Sequence, residues 1–386
     1  MQNWSNFPCF GARRSESGGY VVASLREANP KVLPVVPDCI DRFTNKQSTH
    51  EIQNTMSKLI QLSVLVVFLL NLQGIAYADK PPKITALEFP PELVEFGPAS
   101  EEPLLAGQGP NHWDNLVRER GWIMREDDRW HMWFTGYNYD VSKDKFLGYA
   151  TSPDGLHWTR WPGNPLSTQG WVEDMCILKQ GDTYYMFAEG RDDVAHLLTS
   201  KDRIHWEEKG DLDIRLTNGE PISAGPRGTP TVWFENDTWW LFYERKDLAV
   251  YVATSKDLKT WTNVTDEAVL AMGPEPYDLY AVAFDQIIKL NGRYYAYYHA
   301  SALPKWGEWT TCIAMSEDLL HWKKYPGNPI VPVNPKLPGA SSGTVVHDGK
   351  NWRLYTTHPE VRVYFHKNAS AAVPENEESP TNGTSK

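Results

Sequence analysis

One phrase, Ser-x-Asp-x-x-x-Trp, occurs four times along this chain of 386 residues, at 152–158, 200–206, 255–261 and 316–322. The four tryptophans stand 48, 55 and 61 residues apart. A repeat of that length is one supersecondary unit, too small to bury its own apolar face, so neighbouring units must stack. Each phrase follows a short aromatic run, at 130–134, 184–187, 239–243 and 294–298; a fifth run, 352–355, has no phrase after it. Turn residues precede every run: Asp127-Asp128, Gly181-Asp182, Asn236-Asp237, Asn291-Gly292 and Asp348-Gly349. Aromatic runs of this kind read as strands, and Asn-Gly or Asp-Gly between apolar runs reads as a hairpin, because both tolerate positive φ.

Each unit is therefore a four-stranded antiparallel blade, and five units predict an all-β, five-bladed β-propeller. In each phrase the Asp accepts backbone N–H groups at a corner. The Trp is a plate packed between blades. Trp158, Trp206, Trp261 and Trp322 are expected to be largely buried scaffold residues. The fifth blade lacks a last strand, and an open edge is a liability. Residues 84–89 are expected to supply that strand and close the ring.

The formal net charge is −11, with 17 Trp and 18 Tyr. A basic face for nucleic acid is thereby excluded. No Gly-rich phosphate loop or zinc-type Cys/His spacing occurs. Residues 56–78 read as a secretory signal peptide: Lys58 gives the basic start, 59–72 the apolar core, and Ala76-Tyr77-Ala78 the small-x-small cleavage site. The expectation is a secreted, periplasmic or extracellular protein, free of the membrane after cleavage. Met56 is then the expected start, with residues 1–55 a spurious or unstructured extension. Residues 79–105 form a lead, 106–366 the propeller, and the polar, Pro-rich 367–386 a disordered tail. Cys176 and Cys312 fall in different blades and are expected as free thiols.

In a propeller the first strand of each blade lines the central channel. Aligned on the aromatic runs, these strands start near Asp114–Glu119, Trp171–Asp174, Arg227–Thr229, Tyr280–Asp285 and Ser342. Acids recur at the starts of blades 1, 2 and 4. A strand interior is an expensive place for a carboxylate unless it is paired or used. Carboxyls from several blades meeting in one cavity are what glycoside hydrolysis requires, one as proton donor and one as base or nucleophile.

The phrase Ala253-Thr-Ser-Lys-Asp-Leu-Lys-Thr-Trp261 and the run Trp130-His-Met-Trp-Phe-Thr-Gly136 resemble the five-bladed propeller glycoside hydrolases of families 32, 43 and 68 and their relatives. The resemblance covers roughly residues 106–366. It implies a base or nucleophile on blade 1, an Asp on blade 2 and a Glu acid on blade 3. Asp174 matches the second; Glu119, or Asp114 upstream, matches the first. At the third, Gly228-Thr229-Pro230 keeps the proline and lacks the acid. Glu244 is the expected substitute, with Glu189, His299 and His358 within reach of the channel. The expected catalytic residues are thus Glu119, Asp174, Glu244 and Asp285. The expected substrate-binding residues are Asp114, Trp113, Trp171, Glu173, Arg191, Arg227, Tyr280 and His299; Arg120 reads rather as a salt-bridge partner. No cofactor is required, although the central channel leaves room for a structural calcium ion. A monomer acting on a carbohydrate is expected.

The leading expectation is a secreted glycoside hydrolase acting on a poly- or oligosaccharide. The vacant blade-3 position leaves open a non-catalytic carbohydrate-binding propeller. The phrase Ser-Pro-Asp-Gly-Leu-His-Trp is similar to a sialidase repeat, but five repeats fit a sialidase poorly. A phosphorylase of the same architecture would need a cationic phosphate pocket.

Overall fold

The computed structural model describes residues 88–167, 171–305, 307–334 and 341–367. The expected signal peptide, the N-terminal extension and all but the first residue of the expected tail lie outside them. The described part is a five-bladed β-propeller. Blade 1 runs β2 (Leu116–Glu126), β3 (Arg129–Tyr137), β4 (Phe146–Ser152), β5 (Thr159–Arg160), and blade 2 runs β6 (Glu173–Gln180), β7 (Thr183–Glu189), β8 (Ala195–Ser200), β9 (Trp206–Asp211). Blade 3 contains β11 (Thr231–Glu235), β12 (Thr238–Glu244), β13 (Ala249–Ser255) and β14 (Thr260–Asn263), flanked by β10 (Asp213–Arg215) and β15 (Leu270–Ala271). Blade 4 is β16 (Ala281–Leu290), β17 (Arg293–Leu303), β18 (Gly307–Ser316) and β19 (Lys323–Lys324). Blade 5 is β20 (Ser341–His347), β21 (Trp352–His358) and β22 (Arg362–His366), completed by β1 (Phe96–Pro98). The inner strands β2, β6, β11, β16 and β20 each touch the next around the ring, and β20 returns to β2.

The hairpins form as their turn residues dictate. Asp127 and Asp128 (φ 52° and 56°) and Asn236 and Asp237 (51° and 54°) all take positive φ. Two such residues in a row give the turn whose twist matches a hairpin's strands. Ring closure departs from the sequence expectation in one respect. The added strand is Phe96–Pro98, antiparallel to β22 with Phe96 opposite His366, and not 84–89. Of that segment only Glu88 and Phe89 are described. Phe89 is buried in the core between blades 4 and 5, against Tyr295 and Tyr325.

The four phrases build one corner four times. In the first, Asp154 Oδ1 accepts the amides of Leu156 (2.8 Å) and His157 (2.9 Å), while Ser152 Oγ accepts that of Gly155 (2.8 Å). Three of the tryptophans then lean on another blade: Trp206 meets Trp133, Trp261 meets Phe187, and Trp322 meets Phe242, all edge-on. Only Trp261 is fully buried, which corrects the expectation for the other three. Trp158, Trp206 and Trp322 keep one edge near solvent, where the indole N–H donates to the carbonyl of Gly155, Arg203 or Leu319. Trp261 is different because the extra strand β10 lies parallel to β14, with Ile214 opposite it.

Glutamates at the ends of two inner strands latch blades together. Glu126 takes Lys179 and Tyr184 of blade 2, and Glu235 takes Lys289 and Tyr294 of blade 4. Cys176 and Cys312 are buried free thiols.

Candidate active site

Three inner strands break their ladders near one end of the channel. In blades 1, 2 and 4 the pairing skips between Arg118 and Trp122, between Glu173 and Cys176, and between Phe284 and Gln286. Glu119, Asp174, Thr229 and Ser342 sit there at positive φ (64°, 45°, 45° and 59°). Residues other than glycine held in this region cost on the order of 1–3 kcal/mol each and gather where a structure uses them. The breaks turn these side chains out of the pleat and into one cavity of about 430 Å³. The ends of the second strands face it as well, through Glu189, Glu244, His299 and His358.

Glu119 and Lys145 form one wall. Lys145 Nζ lies 3.5 Å from Glu119 Oε1 and also holds Glu173 Oε2. It sits over the rings of Tyr137 and Trp171, at 5.6 and 5.1 Å. One ammonium serves two carboxylates, so the two are driven apart. Burial works to raise Glu119, but the charge of Lys145, a hydrogen bond from His358 and the charge of Arg118 outweigh it and hold the carboxyl well below its ordinary range. Glu173 goes the other way, pushed up by burial and by the charges of Glu119 and Asp174 despite Lys145. The Trp171 indole N–H donates to Glu173.

Asp174 stands between blades 1 and 2. Its Oδ1 accepts the backbone N–H of Arg120 at 2.8 Å. Burial and the neighbouring Glu119 raise its carboxyl above the usual value, against Arg120 and His299. The Arg120 side chain is wholly buried. It donates to the carbonyls of Asp174, of Pro230 (2.7 Å) and of Phe284 (2.5 Å), and to Thr231 Oγ1 (2.7 Å). Arg120 thus ties the strand starts of blades 2, 3 and 4.

The vacant blade-3 position is filled from blade 2. A Cβ on Gly228 would lie 1.9 Å from Glu189 Oε2, so any side chain here would have to displace the glutamate that occupies its space. Glu189 Oε2 accepts the amide of Thr229 at 2.8 Å and its hydroxyl at 3.3 Å. Burial, then the charges of Asp174, Glu173, Asp193 and Glu244, raise this carboxyl well above its ordinary value. Glu244 also lines the cavity. Both its oxygens accept backbone amides, from Gly228 (2.8 Å) and Asp247, and burial with Asp247 nearby pushes it up to about 7. With both oxygens tied, Glu244 is less free to hand over a proton than the sequence suggested.

A pH test follows for Glu189. Above about pH 4.3 the unfolded chain has released a proton that the native carboxyl keeps. Native stability therefore declines as pH rises from there towards the raised native value. Glu189→Gln is expected to flatten this decline, so its urea midpoint should gain on the parent at about pH 8 relative to about pH 4. An equal difference at both values would remove the account of a protonated Glu189.

Several expected site residues lie elsewhere. Asp285 is wholly buried behind the cavity: its Oδ1 lies 2.7 Å from His299 Nδ1, and its Oδ2 accepts the Gly343 amide at 3.1 Å. It is His299 that lines the cavity; burial works against its charge, but Asp285 raises its proton affinity overall. Asp114 pairs with Arg160 on the outer strand (2.8 Å), and Trp113 stacks on Phe134 of blade 1. Tyr280 is exposed and outside the lining. Arg227 also lies outside the lining and pairs its backbone with Asp193. Arg191 covers Trp171 at 5.3 Å while bonded to Asp144. Lys145 and Trp309 are among the lining residues that were not foreseen. Lys145 hides in the charged triplet Lys143-Asp144-Lys145, and Trp309 looks like one more strand aromatic. Trp309 meets His299 edge-on at 5.1 Å, giving the cavity an aromatic wall opposite Trp171 in the sequence of blades.

No family model matches the chain. A 1,2-beta-oligomannan phosphorylase of Thermoanaerobacter sp. is 23% identical over 230 residues, 54% of this chain and 73% of that protein. A Bacteroides thetaiotaomicron protein provisionally assigned as a glycosidase superposes with a TM-score of 0.57 at 16% identity, covering 73% of this chain and 99% of that one. The beta-1,2-mannobiose phosphorylase of Listeria innocua, in complex with beta-1,2-mannobiose, superposes with a TM-score of 0.51 at 15% identity, covering 70% and 95%. The chain has the five-bladed propeller fold of these glycosidase- and phosphorylase-type proteins.

Proposed function

We propose that the chain is a secreted glycoside hydrolase that cleaves an oligo- or polysaccharide in the cavity at the strand breaks. The observation that carries this reading is the division among its carboxyls. Glu119 is held ionised by Lys145 and Arg118, while Asp174 beside it is pushed towards the protonated form. Neighbouring acids whose proton affinities are driven apart supply a base and an acid at one pH. Glu119 then activates water or attacks the sugar. Asp174, with Oδ1 anchored on the Arg120 amide, carries its proton on Oδ2 and gives it to the leaving oxygen. Trp171 and Trp309 offer the apolar surface a sugar ring stacks on. The signal-like segment at 56–78 motivates secretion.

Phosphorolysis is the second reading, because two of the similar proteins are phosphorylases. The cavity's charge argues against it. Among the described residues seven carboxyl side chains line it (Glu119, Glu173, Asp174, Glu189, Asp193, Glu244, Asp247) against two lysines, one already engaged by Glu119 and Glu173. A phosphate dianion would enter against that field. The similar proteins make β-1,2-linked mannosides the first substrates to try.

Asp174→Asn is expected to cut hydrolysis of glycosides with poor leaving groups by roughly 10²–10⁴-fold and to spare those with good ones. If Glu189→Gln shows that pattern and Asp174→Asn does not, the proton donor is Glu189. If neither variant loses activity, or if the parent turns over only with phosphate present, hydrolysis at these residues is refuted.

A further inference from the structure

We infer that His358 is a positioning residue for Glu119, held as its neutral Nδ1–H tautomer between Arg118 on one ring nitrogen and Glu119 at the other. The inference rests on reading Glu119 as the ionised carboxylate of the site.

The ring is read from its two neighbours. Arg118 Nη2 lies 2.8 Å from His358 Nε2. A guanidinium offers only N–H donors, so Nε2 must present its lone pair. A neutral imidazole has one N–H, which must then be on Nδ1. Nδ1 lies 3.4 Å from Glu119 Oε2. A charged imidazolium would set a second donor against Arg118 at 2.8 Å, which the geometry rejects. His358 therefore cannot serve as an acid here, although it lines the cavity and its position at the end of β21 matches that of His299 in blade 4.

The groups facing Glu119 come from every element around it. Tyr137 at the end of β3 donates its hydroxyl to Oε1 at 3.3 Å, and Lys145 before β4 lies 3.5 Å from the same oxygen. Arg118 Nε on β2 is 3.9 Å away, and Glu173 and Asp174 approach from β6. His358 is the group that reaches Oε2. It belongs to blade 5, the blade completed by β1, so the contact joins the two blades that ring closure brings together. Trp309 of blade 4 stands 6.4 Å from its ring.

The test uses the full chain with ¹⁵N-labelled histidine, the His358 signal being identified by its loss in His358→Ala. The expected spectrum at neutral pH shows a protonated Nδ1 and an unprotonated Nε2. Against the substrate, His358→Ala should move the acidic limb of kcat/KM upward by about one pH unit, the size of one hydrogen bond to a charged group. His358→Asn should move it back, since its amide N–H₂ stands near the place of Nδ1. An Nε2–H tautomer, a charged ring at neutral pH, or an acidic limb that stays put while activity falls equally at every pH would each overturn the inference. Should His358→Ala fail to fold, His358→Asn supplies the identification and the spectrum of the unaltered chain decides. A fully active Glu119→Gln variant would strike down the functional reading and leave the tautomer result standing.

Discussion

Glu119→Gln should lower kcat by roughly 10²–10⁴-fold, the range supplied by a positioned base. The loss should appear on substrates with good and poor leaving groups alike, because the attacking water or sugar carbon needs the carboxylate in either case. Folding should survive, since Gln keeps an oxygen for Tyr137 and Lys145. The change should also be felt next door. Lys145 would be left with Glu173 alone, and Glu173, freed of its neighbour's charge, should ionise at lower pH than in the parent. Carboxyl ¹³C titration of the variant reads this directly. A Glu173 that titrates as before would mean that the two glutamates do not share the lysine.

Trp261→Ala should be the most damaging of the four repeat-Trp substitutions, at about 3–5 kcal/mol in urea unfolding. Trp261 lies under β10 with no solvent-facing edge and packs edge-on against Phe187 of the preceding blade. The other three keep an edge near solvent and should each lose less. Equal losses across all four would show that burial under β10 does not set the cost.

The fold was legible because its signals repeat. Five aromatic runs, five turns and four Asp corners all ask for the same hairpin stack, and the structure builds it. The closing strand was not legible. Phe96-Gly97-Pro98 carries a glycine and a proline, both poor strand formers, and it pairs only because the edge of β22 is there to receive it. The candidate site divides in the same way. Glu119, Asp174, Glu173, Trp171, Glu244 and His299 line the cavity as expected from their places at strand starts and ends. Asp285 does not, because a break in the ladder reverses which side of the strand a residue faces, and a sequence does not mark on which residue the break falls. Asp114 was misplaced for a simpler reason: it precedes β2 and turns outward to Arg160. The vacancy at Gly228 was visible, and its meaning was not. Only the fold shows that the space belongs to Glu189 of the preceding blade.

The most direct measurement is isotopic. A β-1,2-linked mannooligosaccharide incubated with the purified protein in phosphate-free H₂¹⁸O should release sugar carrying ¹⁸O at the newly formed reducing end, and Asp174→Asn should suppress that release. Cleavage only when phosphate is added, with a sugar phosphate as product, or ¹⁸O release undiminished in Asp174→Asn, would contradict a hydrolytic site at these carboxyls.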